Sequence, residues 1–242
     1  MAGYDPAMPT PAAVPSAGRH VLVVADGDVP SRDALDAAWP DWDEAVAAVI
    51  AADGGLARAR ALDLEPTLLV GDLDSLDPAL IAAAEAFGPP ISRSPAAKDE
   101  SDAELALFAA VTDGATRITV LGAFGGPRLD HALANVWLLA HPALQGIDVT
   151  LLDARTRVSL LTAPGSDGGP VQRALAGSPG ATITLLPFGG DVSGVTTEGL
   201  RYPLRDEPLK AGPARGLSNV REGRDAAVAL RHGALLVIEI AP

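Results

Sequence analysis

Short, mainly apolar runs alternate with segments of helical spacing along the first part of the chain. Runs that are apolar at consecutive positions are typical of parallel strands buried on both faces. The runs predicted as strands are 20–25, 46–52, 67–70, 117–121 and 148–153. Their alternation with helices predicts a doubly wound, mostly parallel α/β sheet, with helices on both faces, over residues 19–153.

The segments between these runs carry helix signals. Apolar residues recur at helical spacing in 31–39 and 56–64. Asp77 followed by Pro78 is typical of a helix start, because Asp is a good N-cap and Pro fits the first helical position. Ser101 and Glu104 form a capping box, which predicts a helix that extends to about residue 112. A further helix is expected to begin near Leu129.

The pattern changes in the second half of the chain. Short segments with β-strand character are separated by Gly, Pro and Ser, and no helix is predicted. These segments are 157–161, 181–186, 199–204, 226–230 and 234–240. They predict an antiparallel β-sandwich over residues 154–242. Residues 1–18 contain four prolines and lack the basic start and apolar core of a secretory signal, so a disordered tail is expected there.

Composition narrows the function classes. The formal net charge of −13 argues against nucleic acid and anionic membrane surfaces as partners, since both require a basic face. The absence of cysteine excludes disulfides and thiolate metal sites. No apolar run approaches the roughly 18 residues needed to span a bilayer. We therefore expect a soluble, cytoplasmic protein.

Acidic residues follow the apolar runs at three turns: A-D-G-G (52–55), V-G-D-L-D-S (70–75) and K-D-E-S-D (98–102). The carboxyl ends of parallel strands share one edge of a sheet, where ligands bind. The aspartates expected to gather along this rim are Asp53, Asp72, Asp74, Asp99 and Asp102. Such carboxylates need a counter-charge, and Mg²⁺ supplies it together with substrate phosphate oxygens. The turns therefore predict a magnesium and polyphosphate site suited to phosphoryl-type transfer.

Simpler explanations exist for the same residues. Aspartate is common in tight turns, so the D-L-D-S turn can be turn chemistry alone. The capping box accounts for Ser101 without a ligand. Arg128 and Asp130 can simply pair at the start of a helix, and G-G-P-R-L-D-H lacks the spacing of a phosphate-binding loop.

Taken in order, the motifs resemble those of the thiamine pyrophosphokinase family. The matching segments are A-D-G-G, V-G-D-L-D-S, K-D-E-S-D-A-E-L-A-L, G-G-P-R-L-D-H-A-L-A-N, L-L-P-F-G, V-T-T-E-G-L-R-Y-P-L, G-L-S-N and G-A-L-L-V-I. The resemblance implies Mg²⁺-dependent transfer of pyrophosphate from ATP to the hydroxyl of thiamine, which gives thiamine diphosphate and AMP. It also implies a homodimer, in which thiamine lies between the catalytic domain of one subunit and the sandwich of the other.

The resemblance assigns roles by position. Around magnesium and the phosphates it places Asp72, Asp74, Asp99 and Asp102, and facing the reacting phosphates or thiamine it places Arg128 and Asp130. At the nucleotide and thiamine contacts it places Asp53, Gly54, Gly55, Ser101, Ser218 and Asn219.

Three positions depart from the family pattern. Ser101 replaces a threonine, Pro127 precedes Arg128, and Val220 replaces a glutamate for which Glu222 is a possible substitute. Two alternative functions stay open: a related pyrophosphokinase with another alcohol acceptor, such as a hydroxymethylpterin, and a ligand-binding relative without turnover.

Overall fold

The computed structural model describes residues 18–74, 76–95, 97–163 and 169–242, with Phe87 described by its backbone only. The described residues up to Ser159 form one compact unit, and Leu160–Pro242 form a second. The predicted disordered tail lies, except for Gly18, outside the described residues. Within the described part of the chain, the helices are too short or too polar to span a bilayer.

The N-terminal unit is built on a parallel sheet. Its strands are β1 (His20–Val24), β2 (Val46–Ala52), β3 (Leu68–Gly71), β4 (Ile91–Arg93), β5 (Arg117–Leu121) and β6 (Asp148–Leu152). They run parallel in the order β4-β3-β2-β1-β5-β6, and β7 (Thr156–Thr162) then pairs with β6 in the antiparallel direction. The predicted parallel α/β fold is confirmed. Only β4 had no counterpart among the predicted strands.

Helices connect these strands. They are α1 (Arg32–Ala38), α2 (Gly55–Ala61), α3 (Pro78–Phe87), α4 (Asp102–Thr112) and α5 (Leu129–Leu138), with a short 3₁₀ turn at Pro142–Leu144. Two predicted caps are confirmed: the Asp77 carboxylate accepts a hydrogen bond from Ala79 N at 2.7 Å, and Ser101 Oγ accepts one from Glu104 N at 3.1 Å. Each cap satisfies an amide that the first helical turn leaves without a partner.

Helices cover the sheet from both sides. All five residues of β1 are buried, which explains its unbroken apolar run. The α4 residues Ala106, Leu107 and Ala110 are buried in the helix that contacts β1, β2 and β3. A separate apolar cluster joins β3 to α2 and α3 and contains Ala51, Leu56, Leu69, Leu73, Leu76 and Ala84. Full burial of each leucine contributes about 1.5–3 kcal/mol. This packing fixes the ends of β2 and β3, from which the two loops that carry the aspartates begin.

Antiparallel strands make up the C-terminal unit. They are β8 (Val171–Ala174), β9 (Thr182–Glu198), β10 (Glu207–Leu209), β11 (Asn219–Val220), β12 (Ala227–Leu230) and β13 (His232–Ile240), together with the end of β7. The long strand β9 pairs with β13 through its first half and with β12 through its last residues. Apolar residues from both halves of β9 share one core with β12 and β13. The antiparallel class predicted for this half is confirmed.

One local prediction in this unit was wrong, and one strand is longer than predicted. Segment 199–204 is not a strand: it contains a single bridge between Leu200 and Arg221, and Gly199 turns the chain with φ +68°. The strand predicted over 181–186 is confirmed from Thr182, and it continues to Glu198, past an irregularity where Gly189 has φ +74°. Strands β8, β10 and β11 were not predicted.

Candidate active site

A cavity of about 450 Å³ opens at the carboxyl edge of the parallel sheet. Its walls are the ends of β1 and β2, the glycine-rich loop after β5, the first residues of α4 and one face of α5. The strand order reverses between β1 and β5, since β2 lies on one side of β1 and β5 on the other. Ligands of doubly wound sheets bind at such a reversal point. The cavity is therefore the candidate active site.

Asp53 lies on the floor of this cavity. It follows directly after β2, is only 7 % exposed and has a left-handed backbone conformation with φ +48°. Its amide donates a hydrogen bond to Val70 O at 2.8 Å, which fixes the turn against the end of β3. An aspartate tolerates the left-handed region better than most residues, so the turn holds a carboxylate inside the protein.

Asp72 and Asp74 occupy the adjoining turn after β3. Asp72 Oδ1 accepts a hydrogen bond from Asp74 N at 3.1 Å, and Leu73 between them is buried with φ +66°. On either side of the buried Leu73, Asp72 is half-buried and Asp74 is exposed. Turn chemistry thus explains part of this segment, as the simpler explanation predicts, but this hydrogen bond does not involve the Asp74 carboxylate.

These three aspartates form one group. Asp53, Asp72 and Asp74 each offer a carboxylate oxygen, and the three oxygens lie within 4.8 Å of one another. The charge of Asp72 is the main cause that raises the pKa of the Asp74 carboxyl, and Asp102 adds to it, whereas Lys98 opposes it. Repelling carboxylates with hard oxygen donors fit a divalent cation such as Mg²⁺. The group can therefore hold a metal ion.

Asp102 lies beside this group, at the first residue of α4. Its Oδ1 accepts a hydrogen bond from Lys98 Nζ at 2.5 Å, and Lys98 Nζ also donates to Ser94 Oγ at 2.7 Å. A Cβ placed on Gly71 would lie 3.3 Å from both Asp102 Oδ1 and Asp53 Cβ. Gly71 thus lies between Asp53 and Asp102, and a side chain at this position would displace one or both of them.

Asp99 is placed differently from the other aspartates of the rim. It is exposed in the loop before α4, and it does not belong to the group whose oxygens lie within 4.8 Å. The structure therefore brings together Asp53, Asp72 and Asp74, with Asp102 adjoining them. The predicted role of Asp99 stays a prediction.

The glycines after Asp53 allow a close approach of backbone segments. A Cβ on Gly55 would collide with the carbonyl oxygen of Val24 at the end of β1, and a Cβ on Gly54 would collide with the Asp26 carboxylate. The pair therefore brings the start of α2 against β1, at the edge of the cavity. Asp26 was not among the predicted residues, although it also lines the cavity.

Arg128 and Asp130 form an ion pair at the start of α5. Arg128 Nε donates to Asp130 Oδ1 at 2.9 Å and its Nη2 donates to Oδ2 at 2.6 Å. This pairing holds the pKa of the Asp130 carboxyl well below its usual range and raises that of the Arg128 guanidinium. Both side chains are more than 60 % exposed, so the pair is weak and can exchange for another partner. Arg128 lines the cavity and can offer its planar fork to phosphate oxygens.

Two cavity residues on α5 were missed by the sequence reasoning. His131 and Asn135 line the cavity, and Asn135 Nδ2 donates a hydrogen bond to Ala123 O at 2.9 Å. They lie three and seven residues after Arg128, which is the spacing of one helix face. Within the motif G-G-P-R-L-D-H-A-L-A-N, this spacing could have predicted that both residues lie on the same side as Arg128.

Ser218 and Asn219 belong to the C-terminal unit. Asn219 lines a separate cavity of about 240 Å³, together with Tyr202, Arg215 and Leu217. Its Oδ1 accepts hydrogen bonds from Tyr202 N at 3.0 Å and Val220 N at 2.9 Å, and its Nδ2 donates to Tyr202 O at 2.7 Å. An amide group has two lone pairs and two donor hydrogens, so Asn219 keeps one N–H for a ligand.

Comparison with known proteins gives the same assignment in both halves of the chain. The family model described as "Thiamin pyrophosphokinase, catalytic domain" matches residues 41–151. The model described as "Thiamin pyrophosphokinase, vitamin B1 binding domain" matches residues 172–235. A thiamine pyrophosphokinase from Bacillus subtilis (strain 168) is 26 % identical over 170 residues, which cover 70 % of this chain and 76 % of that protein.

Solved structures agree in fold. The crystal structure of thiamine pyrophosphokinase from Bacillus subtilis superposes with a TM-score of 0.75 at 23 % identity and covers 92 % of this chain and 99 % of that one. A thiamin pyrophosphokinase family protein from Enterococcus faecalis superposes with a TM-score of 0.71 at 27 % identity and covers 92 % and 98 %. The two family models together match well over half of the chain, and the chain belongs to the thiamin pyrophosphokinase family.

Proposed function

We propose that this protein transfers the pyrophosphoryl group of ATP to the hydroxyl of thiamine, in a reaction that requires Mg²⁺ and yields thiamine diphosphate and AMP. The observation that carries the proposal is the group of three aspartates with oxygens within 4.8 Å of one another, of which Asp53 lines the cavity where the sheet order reverses. Family membership supports the choice of the two substrates.

The metal is assigned to the acidic group. Asp72 and Asp74 would hold Mg²⁺, with Asp53 as the buried third oxygen donor and Asp102 next to them. When bound, the ion neutralises the charge of the acidic residues and of the polyphosphate and so stabilises the transition state of in-line transfer. We also propose that Asp99 belongs to the acidic residues around the metal and the phosphates.

The chain's own residues position the nucleotide. Ser101 and Arg128 line the cavity, and the guanidinium can leave Asp130 to bind phosphate oxygens, because the present ion pair is solvent-exposed. Gly54 and Gly55 allow the start of α2 to lie against the end of β1 and against Asp26, which lines the cavity. Arg128 is thereby assigned to the reacting phosphates.

The bond changes follow from the products. The hydroxyl oxygen of thiamine forms a bond to the β-phosphorus of ATP, and the bond between that phosphorus and the oxygen bridging to the α-phosphate breaks, so AMP leaves. The alcohol proton is released to a carboxylate or to water. Little base catalysis is needed, since the transition state of such transfers is loose.

Thiamine recognition is assigned to the C-terminal unit, where Asn219 lines the smaller cavity. The free N–H of Asn219 suits a ring nitrogen acceptor. Ser218, exposed beside it with φ +59°, supplies a hydroxyl. Asn219 also holds the backbone of Tyr202, so its loss would alter the cavity as well as the contact.

A homodimer is part of the proposal. Helix α5 has no buried residue, and Leu129, Leu133 and Trp137 are 71 %, 50 % and 62 % exposed. They recur every fourth residue, so they share a helix face that differs from the face with His131 and Asn135. An apolar face of this kind is typical of an interaction surface. Leu133→Glu should convert a dimer to monomers in light scattering, whereas Ala134→Glu, on another exposed face, should not. A wild-type monomer at micromolar concentration would contradict a stable dimer.

The activity is tested with purified protein, ATP and Mg²⁺ against a panel of alcohol acceptors that includes thiamine and a hydroxymethylpterin. We expect AMP and thiamine diphosphate in equal amounts, with no ADP, and only with thiamine. AMP formed with another acceptor alone would favour a related pyrophosphokinase. Calorimetric binding of ATP and thiamine with no AMP formed would favour a ligand-binding relative. A cytoplasmic location stays a prediction.

A further inference from the structure

Two loops that form one wall of the cavity are joined by backbone hydrogen bonds. Residues 25–28 follow β1, and residues 122–128 follow β5. Ala25 N donates to Leu121 O at 2.9 Å, Gly27 N to Gly122 O at 3.1 Å, and Asp28 N to Phe124 O at 3.1 Å. The loops therefore continue the pairing of β1 and β5 beyond the sheet, as far as Phe124.

Beyond Phe124 the connection between the loops is made by a side chain. Asp28 Oδ2 accepts a hydrogen bond from Gly126 N at 2.8 Å. Gly125 and Gly126 have φ values of +78° and +71°, which glycine adopts readily and other residues rarely do. A Cβ on Gly125 would lie 2.6 Å from Asp28 Oδ2, whereas a Cβ on Gly126 would meet nothing within 4 Å. Asp28 thus packs against Gly125 and holds Gly126.

The position of Gly126 determines the position of Arg128, two residues further on. Pro127 lies between them, and its ring fixes φ near −65°, so few torsions are left to vary between the held amide and Arg128. Arg128 is the N-cap of α5, and no side chain caps that helix start. The Asp28 carboxylate therefore ties the end of this loop to the loop that follows β1, across 98 residues of sequence.

We propose that Asp28 is a positioning residue, which holds the glycine-rich wall of the cavity and through it places Arg128 at the reacting phosphates. The inference rests on the proposed function, because it concerns the same site. Asp28 itself does not contact the reacting atoms. Its action requires a hydrogen-bond acceptor at the position of Oδ2, not a negative charge, which would repel a polyphosphate.

Three variants separate these roles. Asp28→Ala removes the hydrogen-bond acceptor, whereas Asp28→Asn keeps an acceptor oxygen but removes the charge. Asp33→Ala is the control, because Asp33 is an exposed aspartate five residues further on, in α1. We expect Asp28→Ala to lower kcat/KM for ATP by about 10- to 100-fold, since small misplacements of a positioning group have effects of this size. Asp28→Asn should stay within about threefold of wild type and Asp33→Ala should match it, with melting temperatures within a few degrees for all three.

A double-mutant cycle tests the route through Arg128. If Asp28 acts by placing the guanidinium, Asp28→Ala should lower kcat/KM by no more than about threefold in an Arg128→Ala background. Amide hydrogen exchange over residues 122–128 gives a readout that does not need turnover. Exchange should be faster in Asp28→Ala and unchanged in Asp28→Asn.

The outcomes are distinct. Full activity and unchanged exchange in Asp28→Ala, an Asn variant as defective as the Ala variant, or an undiminished effect in the Arg128→Ala background would each overturn the inference. A wild-type protein that forms no AMP with any acceptor would overturn the proposed function instead. The exchange experiment would then still decide whether Asp28 holds the loop.

Discussion

Lys98 Nζ lies 2.5 Å from Asp102 Oδ1, and the two side chains are only 11 % and 30 % exposed. The lysine therefore places a positive charge next to the group formed by Asp53, Asp72 and Asp74. A partly buried pair of this kind is sensitive to the loss of either partner, because the remaining charge keeps its desolvation cost.

We predict that Lys98→Met lowers the free energy of unfolding by about 1–2 kcal/mol, less than for a fully buried pair because Asp102 reaches solvent. Urea denaturation of Lys98→Met, Asp102→Asn and the double variant gives the coupling, which should be about 1 kcal/mol. Strictly additive effects would show that the pair contributes nothing to stability.

Asp72→Asn should reduce turnover on the order of a hundredfold or more, because it removes one of the carboxylates proposed to hold Mg²⁺. Its melting temperature should stay within a few degrees of wild type, since the amide oxygen can still accept from Asp74 N. Asp77→Asn is the matched control: it lies in the same loop, and Asn caps α3 as well as Asp does. A variant that unfolds, or one that keeps normal turnover, would show that Asp72 acts only as a turn residue.

Gly71→Ala should impair both stability and activity. Gly71 has φ +146°, and the added Cβ would lie 3.3 Å from Asp102 Oδ1 and Asp53 Cβ. We expect a loss of about 1–3 kcal/mol and a higher Mg²⁺ concentration for half-maximal activity. Gly114→Ala separates the two effects, since Gly114 has φ +82° with open space around it. It should lose stability and keep its Mg²⁺ dependence; an equal Mg²⁺ shift in both variants would argue against the contact.

His20 predicts a pH dependence of stability. It is 2 % exposed, with Nδ1 2.9 Å from Glu44 O and Nε2 3.0 Å from Thr119 Oγ1. Burial, aided by the charge of Arg117, lowers the pKa of His20 below its ordinary value of 6.5. The unfolded chain therefore takes up the proton first, and the contribution is complete above pH 6.5 and lost as pH falls below it, by at most about 1.4 kcal/mol per pH unit.

Urea unfolding at pH 7.5 and 5.5 checks this prediction. His20→Asn should show a smaller loss of stability between the two pH values than wild type, because the asparagine does not titrate. Equal losses would mean that carboxylates alone account for the acid sensitivity.

The sequence predicted the fold best where burial is continuous. Strands β1, β2 and β5 appear as unbroken apolar runs because helices cover both of their faces. Strand β4 lies at the edge of the sheet, with Ile91 half-buried and Ser92 and Arg93 exposed, and so leaves no apolar run to detect. In β9, Gly189 and Gly190 have the composition of a turn, and the pairing with β13 is interrupted there and resumes at Ser193, so the residue pattern alone does not predict one continuous strand.

The candidate site was predictable where chemistry follows a strand end. Asp53, Asp72 and Asp74 stand directly after β2 and β3, so topology alone brings them to one edge. The contact between Asp28 and Gly126 spans 98 residues and has no local signature. The position of Asp99 depends on the course of a loop that the residue pattern does not specify.

The central claim, that Asp72 and Asp74 hold a magnesium ion with the polyphosphate, is tested most directly by a crystal structure with Mn²⁺ in place of Mg²⁺, thiamine and an ATP analogue that cannot be cleaved between the α- and β-phosphates. We predict an anomalous peak about 2.1 Å from carboxylate oxygens of both residues and from phosphate oxygens. A nucleotide bound with its metal away from these aspartates, or held with no metal at all, would contradict the claim.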